Sequence, residues 1–288
     1  MTQATARTAH APIRAPIQAP VRTIVQRTHG HSHGPITRLM SPSDLGEVLK
    51  PFVFLDLFDT TQVSFPGFGL HPHSGIATVT HLFEGSVGYE DTTGATGRLP
   101  AGGVEWFKAG HGAWHGGAGE SVPSRGFQLW LALPPEHELG PVESIYQAPE
   151  QIERDGPASV LLGSHGSATS ALNGPSPLNY LAVRLKAGER WRYQPPAGHT
   201  VGWVALGKGS VLTPERIETG EMVVFAPSED GIEFVADSDA EFVLGSAVPA
   251  THDLVLGTYS VHTSRESLRA GEQRILEIRH RLQSEGRL

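Results

Sequence analysis

The sequence predicts an all-β fold, an antiparallel barrel or sandwich whose pattern occurs twice along the chain. Glycine (34) and proline (22) make up nearly a fifth of the 288 residues, which is above average usage and favours short strands joined by turns. Apolar segments bounded by turn residues recur at spacings of about 10 to 20 residues. Residues 99–110 (LPAGGVEWFKAG) and 217–228 (IETGEMVVFAPS) are especially alike. Each has a glycine-containing turn, an apolar strand and then a break.

The first β-rich unit is predicted to span residues 21–140. It follows an arm, residues 1–20, that is rich in Ala, Pro and Thr and lacks the apolar centre of a secretory signal. A short helix is expected after Asp44, which with Ser43 offers an N-cap before apolar residues. The predicted strands are apolar or β-branched segments separated by Gly- and Thr-containing turns: 52–59, 71–91, 104–110 and 126–134.

A polar, irregular segment over residues 141–175 predicts a connection to a second unit, residues 176–288. The strands expected there lie within 179–188, 199–212, 221–227, 232–238 and 241–248. The chain should end in a helix, because Thr263 and Glu266 form the pattern of a capping box. Apolar residues recur on one face of this segment and charges dominate the other, which predicts a helix packed on a barrel.

Composition excludes several classes of function. The formal net charge of −8 and the pI near 6.0 leave no general basic excess for direct nucleic-acid binding. With no cysteine, disulfides and thiolate ligands are excluded, so any metal must bind His, carboxylate or water. No apolar run approaches the roughly 18 residues of a membrane span. We therefore expect a cytoplasmic protein with no membrane partner.

A histidine pair is the strongest chemical signal. His71 and His73 flank Pro72, and residues i and i+2 of an extended segment point to the same face. Imidazole is the commonest protein ligand for first-row metals. A third histidine, His115, would complete three ligands on one side of an ion if a neighbouring strand carries it. That arrangement leaves open coordination positions, as a reactive metal site requires.

A second histidine run, His29, His31 and His33 in THGHSHGP, also has metal-like spacing. It lies among glycine and serine, so we interpret it as a solvated loop.

The order of several motifs resembles the pirin family of the cupin superfamily. FLDLFD, then FPGFGLHPHSGIATVTHLFEGSVGYEDTTGATGRLPAGGVEWFKAGHGAWH, then GFQLWLALP match its N-terminal domain. RTHGHSHGPITRLMSP and LVLGTYSVHTSRESL occupy the places of its opening strands and closing helix, so the resemblance covers about residues 21–280. It implies two cupin barrels (double-stranded β-helix, or jelly-roll) and a C-terminal helix.

The resemblance also implies one divalent metal in the N-terminal barrel. Iron is the usual metal of the family, and Zn, Ni, Cu or Mn are alternatives. The family's ligands are the two histidines of HPH, a third histidine on the facing strand and a glutamate two residues after it. The first three match His71, His73 and His115, but the fourth falls on Gly117. Where relatives typically carry glutamate in the strand after HPH, this chain has Ala77. The sequence therefore predicts a three-histidine site.

Several groups are candidates for the vacant position. Glu120 lies in a glycine-rich stretch that could fold back, and His111 precedes the third histidine by four residues. Water is the simplest occupant. His81 lies about 26 Å from His73 if the strand is regular, at ~3.3 Å per residue. It is therefore expected to be a polar group inside the barrel.

Aromatic residues near the motif suggest a substrate pocket. Trp106, Trp114 and His111 are the candidates for its lining, and Trp130 could also stack on an aromatic substrate. Core packing is the alternative for the tryptophans. No residue is assigned a catalytic role.

Three functions are compatible with these residues. Family members are described as quercetin 2,3-dioxygenases and as metal-bearing regulators of transcription. The first hypothesis is a dioxygenase for a flavonol-like aromatic substrate. The second is a metal-responsive protein that binds a protein partner, and the third is a metal-free barrel. Loss of the glutamate leaves the site at +2 rather than +1, which should weaken iron retention, and it removes the natural base for a substrate hydroxyl.

Overall fold

The computed structural model of the protein describes residues 22–61, 67–117 and 122–288. Regular structure in these ranges is mostly β-strand, as predicted. Helix α1 (Leu45–Val48) lies between the third and fourth strands and is capped by Asp44, as expected. The strands up to residue 147 are β1 (Ile24–Thr28), β2 (His31–His33), β3 (Ile36–Met40), β4 (Phe52–Asp59), β5 (His71–His73), β6 (Ile76–Glu84), β7 (Ser86–Asp91), β8 (Thr96–Pro100), β9 (Val104–Lys108), β10 (Ala113–Gly116), β11 (Arg125–Ala132) and β12 (Glu143–Gln147).

The second half of the chain repeats this organisation. A 3-10 turn (Pro149–Gln151) precedes it, and helix α2 (Arg265–Ser284) ends it. Its strands are β13 (Arg154–Asp155), β14 (Ala158–Leu162), β15 (Ser164–His165), β16 (Ala168–Thr169), β17 (Leu178–Leu185), β18 (Arg190–Tyr193), β19 (Val201–Lys208), β20 (Ser210–Thr213), β21 (Glu215–Glu218), β22 (Met222–Phe225), β23 (Ile232–Ala236), β24 (Ala240–Ala247), β25 (Val255–Leu256) and β26 (Val261–His262).

Each half contains one seven-stranded and one four-stranded sheet, and the second half adds the two-stranded pairs β15–β16 and β25–β26. The first half has the orders β12–β9–β6–β11–β4–β3–β2 and β5–β10–β7–β8. The second half has β1–β22–β19–β24–β17–β14–β13 and β18–β23–β20–β21. The pairings within these sheets are antiparallel. This confirms the predicted all-β fold of two barrels with a C-terminal helix.

The strands are not distributed between the two barrels at the predicted domain limits, which were residues 21–140, 141–175 and 176–288. Strand β1 pairs with β22 of the second barrel, although it lies in the first predicted unit. The segment interpreted as an irregular connection contains β12, which extends the first barrel, and β14, which pairs with β17 of the second. Edge strands such as β12 carry few apolar residues. Their polar sequences therefore lack the apolar pattern by which the other strands were predicted. The predicted arm, residues 1–20, lies outside the described residues.

The two large sheets pack against each other. Phe52 of β4 contacts Trp203 of β19 edge to face, with ring centroids 5.3 Å apart, and one buried apolar cluster contains residues of both halves. The strands FVFLDLFD and IATVTHLFE are buried along nearly their whole length. One face lines the first barrel and the other packs on the second, which explains their continuous apolar character.

Helix α2 lies against the outside of the first barrel. Its buried residues Ile275, Ile278 and Leu282 pack on Trp114. The N-cap is Ser264, one residue after the predicted Thr263, and its side chain accepts a hydrogen bond from the Ser267 amide at 3.1 Å. Within the described ranges, neither helix combines the length and apolar character that a membrane crossing demands.

His81 is buried, with 3% of its surface exposed, but it does not face the barrel interior, contrary to the prediction. In the sheet it lies opposite Val104 and Phe127, which belong to the apolar cluster shared with the second barrel. The reason is alternation along β6, which gives the inward direction to Thr80. The Nδ1 of His81 lies 2.8 Å from the Gly103 carbonyl oxygen. Burial lowers the pKa of His81 to about 4, and the hydrogen bond to Gly103 only partly offsets this effect. The imidazole is therefore neutral in the folded protein at neutral pH.

This burial predicts acid sensitivity. The unfolded chain binds a proton at residue 81 below about pH 6.5, whereas the folded chain does so only near pH 4. The free energy of unfolding therefore decreases as the pH falls below 6.5. At pH 4.5 the contribution of His81 to this decrease is about 2 kcal/mol. Urea unfolding of metal-free protein at pH 7.5 and 4.5 should show a smaller pH dependence for His81→Gln than for the wild type. An equal dependence would contradict the prediction.

Candidate metal centre

Two neighbouring strands bring three histidines together. In the antiparallel pair β5–β10, His115 lies opposite His71, and Ala113 lies opposite His73. His71 and His73 alternate around Pro72 and share a face, as their spacing predicts. One nitrogen from each of the three rings lies within 4.8 Å of the others. The sequence prediction that these residues meet in space is therefore matched by the geometry.

The hydrogen bonds of the three rings select one tautomer. In each ring, Nδ1 faces an oxygen atom. These acceptors are the carbonyls of Gly69 at 2.8 Å and Tyr259 at 3.0 Å, and Glu105 Oε1 at 3.1 Å. Carbonyl and carboxylate oxygens only accept, so Nδ1 carries the proton and Nε2 presents its lone pair.

The Nε2 atoms have the character of metal ligands. Those of His73 and His115 are buried without a hydrogen-bond partner among the described residues, and such unpaired buried atoms are costly unless another group satisfies them. A divalent cation satisfies three converging lone pairs, so the residues present fit a metal ion. Burial lowers the pKa of His71 to about 4 and that of His73 well below its usual value. Both rings are therefore neutral at pH 7, as metal binding requires.

Two side chains of strand β9 hold the ring of the third histidine, His115, in place. Glu105 accepts the Nδ1 hydrogen bond of His115, and Phe107 stacks on its ring with centroids 4.3 Å apart and planes 4° apart. Burial by itself would raise the pKa of Glu105, but its electrostatic interaction and hydrogen bond with His115 help to hold this pKa below its usual value. The group is therefore a carboxylate at neutral pH. A carboxylate behind a ligating imidazole orients the ring and increases its basicity.

The sequence interpretation missed Glu105 and its partner Tyr146. Tyr146 of β12 lies opposite Glu105 in the sheet, donates to its Oε1 at 3.3 Å and stacks on Tyr89. Burial, reinforced by the Glu105 charge, raises the pKa of Tyr146, so its phenol remains a donor. A single carboxylate in the apolar strand VEWFK was the available signal for Glu105. Tyr146 lay in the segment interpreted as irregular.

Two spaces adjoin the three histidines. A small cavity of about 40 Å³ is lined by His71, His115, Glu105, Gly117 and others. A wide cleft of about 770 Å³ has His71 and His73 among its lining residues. The cleft volume lies within the range of small-molecule sites, whereas the cavity holds only a few waters.

The cleft has an aromatic wall and a polar rim. Phe54 stacks on Trp130 with ring centroids 3.9 Å apart, and Trp130 contacts His73 edge to face at 4.8 Å. The Arg38 guanidinium lies 3.9 Å from the Phe54 ring centroid. Arg38 also forms an ion pair with Asp56. His31 and His33, interpreted above as part of a solvated loop, instead belong to strand β2, which pairs with β3. Both side chains are exposed and line the same cleft.

The residues considered for the fourth ligand position lie in different places. Gly117 follows β10 and borders the small cavity. Glu120 lies outside the described residues. His111 is exposed on the turn before β10 and does not join the cluster formed by the other three histidines.

Of the residues considered for the substrate pocket, Trp130 lines the cleft, whereas Trp106, Trp114 and His111 lie elsewhere. Trp106 is 1% exposed in the core, because it points away from the face that carries Glu105, and its indole N–H donates to Glu143 at 3.3 Å. Trp114 points away from the face of His115, and its N–H donates to the Ile275 carbonyl of α2 at 3.1 Å. Neither these two residues nor His111 is among the lining of the cavity or the cleft.

Comparison with known proteins agrees with this geometry. Residues 35–131 match the sequence profile of the family described as Pirin. The chain is 32% identical to a Pseudomonas aeruginosa protein named "Putative quercetin 2,3-dioxygenase", over 77% of this chain and 84% of that protein. It is 30% identical to a pirin-like protein of Arabidopsis thaliana, over 75% of each. The structure superposes on a quercetin 2,3-dioxygenase from Acinetobacter baumannii with a TM-score of 0.77 and 23% identity, covering 88% of this chain and 96% of that one.

The fold and the histidine cluster together define a metal-binding protein of the cupin type. The sequence relationships are more specific. This chain belongs to the pirin family.

Proposed function

We propose that this protein is a metal-dependent oxidoreductase of the quercetin 2,3-dioxygenase type. His71, His73 and His115 would hold one divalent ion through their Nε2 atoms. The observation that carries the proposal is the convergence of three imidazoles, two of which border the floor of a cleft of about 770 Å³. The names of the relatives from Pseudomonas aeruginosa and Acinetobacter baumannii support the same reaction class.

Iron is the metal we propose first, on the basis of the family. Zinc, copper and manganese remain alternatives, as does nickel, because a bacterial pirin from Escherichia coli with the same fold was solved in complex with nickel(II). A bound ion would supply Lewis acidity towards a substrate oxygen and, if redox-active, the electron chemistry that oxygen activation requires.

The cleft suits a planar aromatic substrate bearing hydroxyl groups. The edges of Phe54 and Trp130 provide an apolar wall beside His73. Arg38 and Asp56 add charged hydrogen-bonding groups to the same cleft. The small cavity is too narrow for such a molecule, so the cleft is the substrate's route to the metal. Glu105 and Tyr146 would act from the opposite side by keeping His115 in its ligating tautomer.

Reconstitution with iron tests the proposal. The anaerobically loaded wild type should hold about one iron per chain and consume oxygen when quercetin is added. His73→Ala should lose both properties, because it removes a ligand, whereas His81→Gln should keep both, because His81 lies in β6 outside the cluster. Elemental analysis and oxygen uptake would be the readouts. Turnover by the wild type that does not exceed that of His73→Ala would reject the assignment for this substrate.

One observation favours a second function, a metal-dependent binding protein without catalysis. Gly117 supplies no carboxylate to act as a base for a substrate hydroxyl. The net charge of −8 favours a protein partner over nucleic acid. Partners retained by the metal-loaded protein, but by neither the metal-free protein nor His73→Ala, would support this function if quercetin turnover is absent.

A further inference from the structure

The small cavity next to His115 has a distinct composition. Its wall includes the apolar side chains of Phe58, Val87 and Leu99. Its polar lining includes His71, Glu105 and Tyr146. With a volume of about 40 Å³, it admits a few waters or a molecule of a few heavy atoms.

The two glycines at the end of β10 have different structural roles. A Cβ at Gly116 would lie 2.9 Å from backbone atoms of Phe68, Gly69 and Leu70, so close packing requires glycine there. A Cβ at Gly117 would lie 3.4 Å from the Gly88 oxygen and the Phe68 nitrogen, which is ordinary contact. Packing therefore does not require glycine at position 117. Its missing side chain leaves space beside His115.

Charge determines what should occupy this space. Three neutral imidazoles leave a divalent ion with its full charge of +2. The nearby carboxylate of Glu105, which accepts hydrogen bonds from His115 and Tyr146, repels an anion. Its single charge offsets only half of the ion's charge, and the ion would be in direct contact with the anion. The apolar wall limits solvation, which strengthens the attraction between the ion and any negative charge. An anion that replaces a water at the open position would thus be stabilised.

We propose that this cavity is a binding site for a small monoanion, such as formate or azide, which occupies the space that Gly117 leaves beside the metal. The inference rests on the proposed three-histidine metal site. The cavity size sets the specificity: anions of about three heavy atoms fit, and an aromatic carboxylate does not. A substrate in the wide cleft and an anion in the cavity would approach from different sides.

Cobalt(II)-loaded full-length protein provides the test, because the visible spectrum of cobalt reports a change in its ligands. Titration with formate or azide should give a saturable spectral change. Benzoate, which is too large for the cavity, should give no such change. Gly117→Glu should weaken the formate response at least about tenfold, since its own carboxylate fills the cavity. Gly117→Ala adds only a methyl group and should retain the response, which makes it the matched control.

The outcomes separate this inference from the proposed function. If the wild type binds cobalt but formate leaves its spectrum unchanged, the anion site is rejected while the metal site stands. If Gly117→Glu responds to formate as strongly as Gly117→Ala, the anion enters through the cleft and the cavity assignment is wrong. If the wild type binds no more cobalt than His73→Ala does, the metal site and the anion site are both rejected.

Discussion

Glu105→Gln is expected to weaken metal binding by about ten- to a hundredfold, the usual effect of losing a carboxylate that orients a ligating histidine. The glutamate is 7% exposed and accepts the Nδ1 hydrogen bond of His115 at 3.1 Å. Glutamine keeps the shape but removes the negative charge. It can also present an amide N–H to the ring, which would favour the tautomer whose Nε2 carries the proton. Metal affinity would be measured by competition with a chromophoric chelator.

Glu143→Gln is the matched control for this experiment. Glu143 belongs to the adjacent strand β12 and bonds Lys108 and Trp106 on the other face of β9. It has no contact with the three histidines, so its substitution should leave metal affinity within about twofold. Equal losses in the two variants would show that Glu105 acts through general stability. An unchanged affinity in Glu105→Gln would show that His115 needs no orientation by this carboxylate.

Gly117→Glu is the second substitution with a large expected effect, and it should strengthen metal binding at least about tenfold. A Cβ at this position meets no contact shorter than 3.4 Å, and the side chain would enter the small cavity beside His71 and His115. The added carboxylate lowers the charge of the site from +2 to +1 and supplies the ligand found in the family. The rate at which EDTA removes iron from the loaded protein would be the measurement.

Gly117→Gln separates charge from space filling. The glutamine side chain has nearly the same volume and reach but donates no negative charge. We expect iron retention in Gly117→Gln to stay close to the wild-type value and well below that of Gly117→Glu. Similar retention in both variants would mean that filling the cavity stabilises the site. Weaker retention in Gly117→Glu than in the wild type would contradict the prediction.

Much of the metal centre followed from local spacing. Alternation along a strand places His71 and His73 on one face, whatever the rest of the fold does. The position of His115 depended on family resemblance, because the pairing of β5 with β10 joins segments about 40 residues apart. Gly117 could be identified as a departure from the family, but only the three-dimensional structure shows that a cavity lies beside it.

Other interpretations of the sequence differ from the structure for identifiable reasons. Trp106 and Trp114 are near the ligands in sequence, yet each follows or precedes an inward-facing residue and therefore points outwards, Trp114 towards α2. The polar segment around residue 146 seemed irregular because an edge strand such as β12 needs few apolar side chains. Strand β1 joins the second barrel through pairing with β22, about 200 residues further along the chain. No local sequence pattern indicates that a strand at the start of the first unit pairs with the second barrel.

Sequence by itself determined the β-rich repeat, the terminal helix and the shared face of His71 and His73, since periodicity and residue chemistry are local properties. The tertiary structure decided which groups surround those histidines. Glu105, Tyr146 and the two spaces on either side of the centre arise from contacts between strands distant in sequence. Such contacts depend on sheet order and register, which a single sequence leaves open because many pairings satisfy the same alternation of side chains.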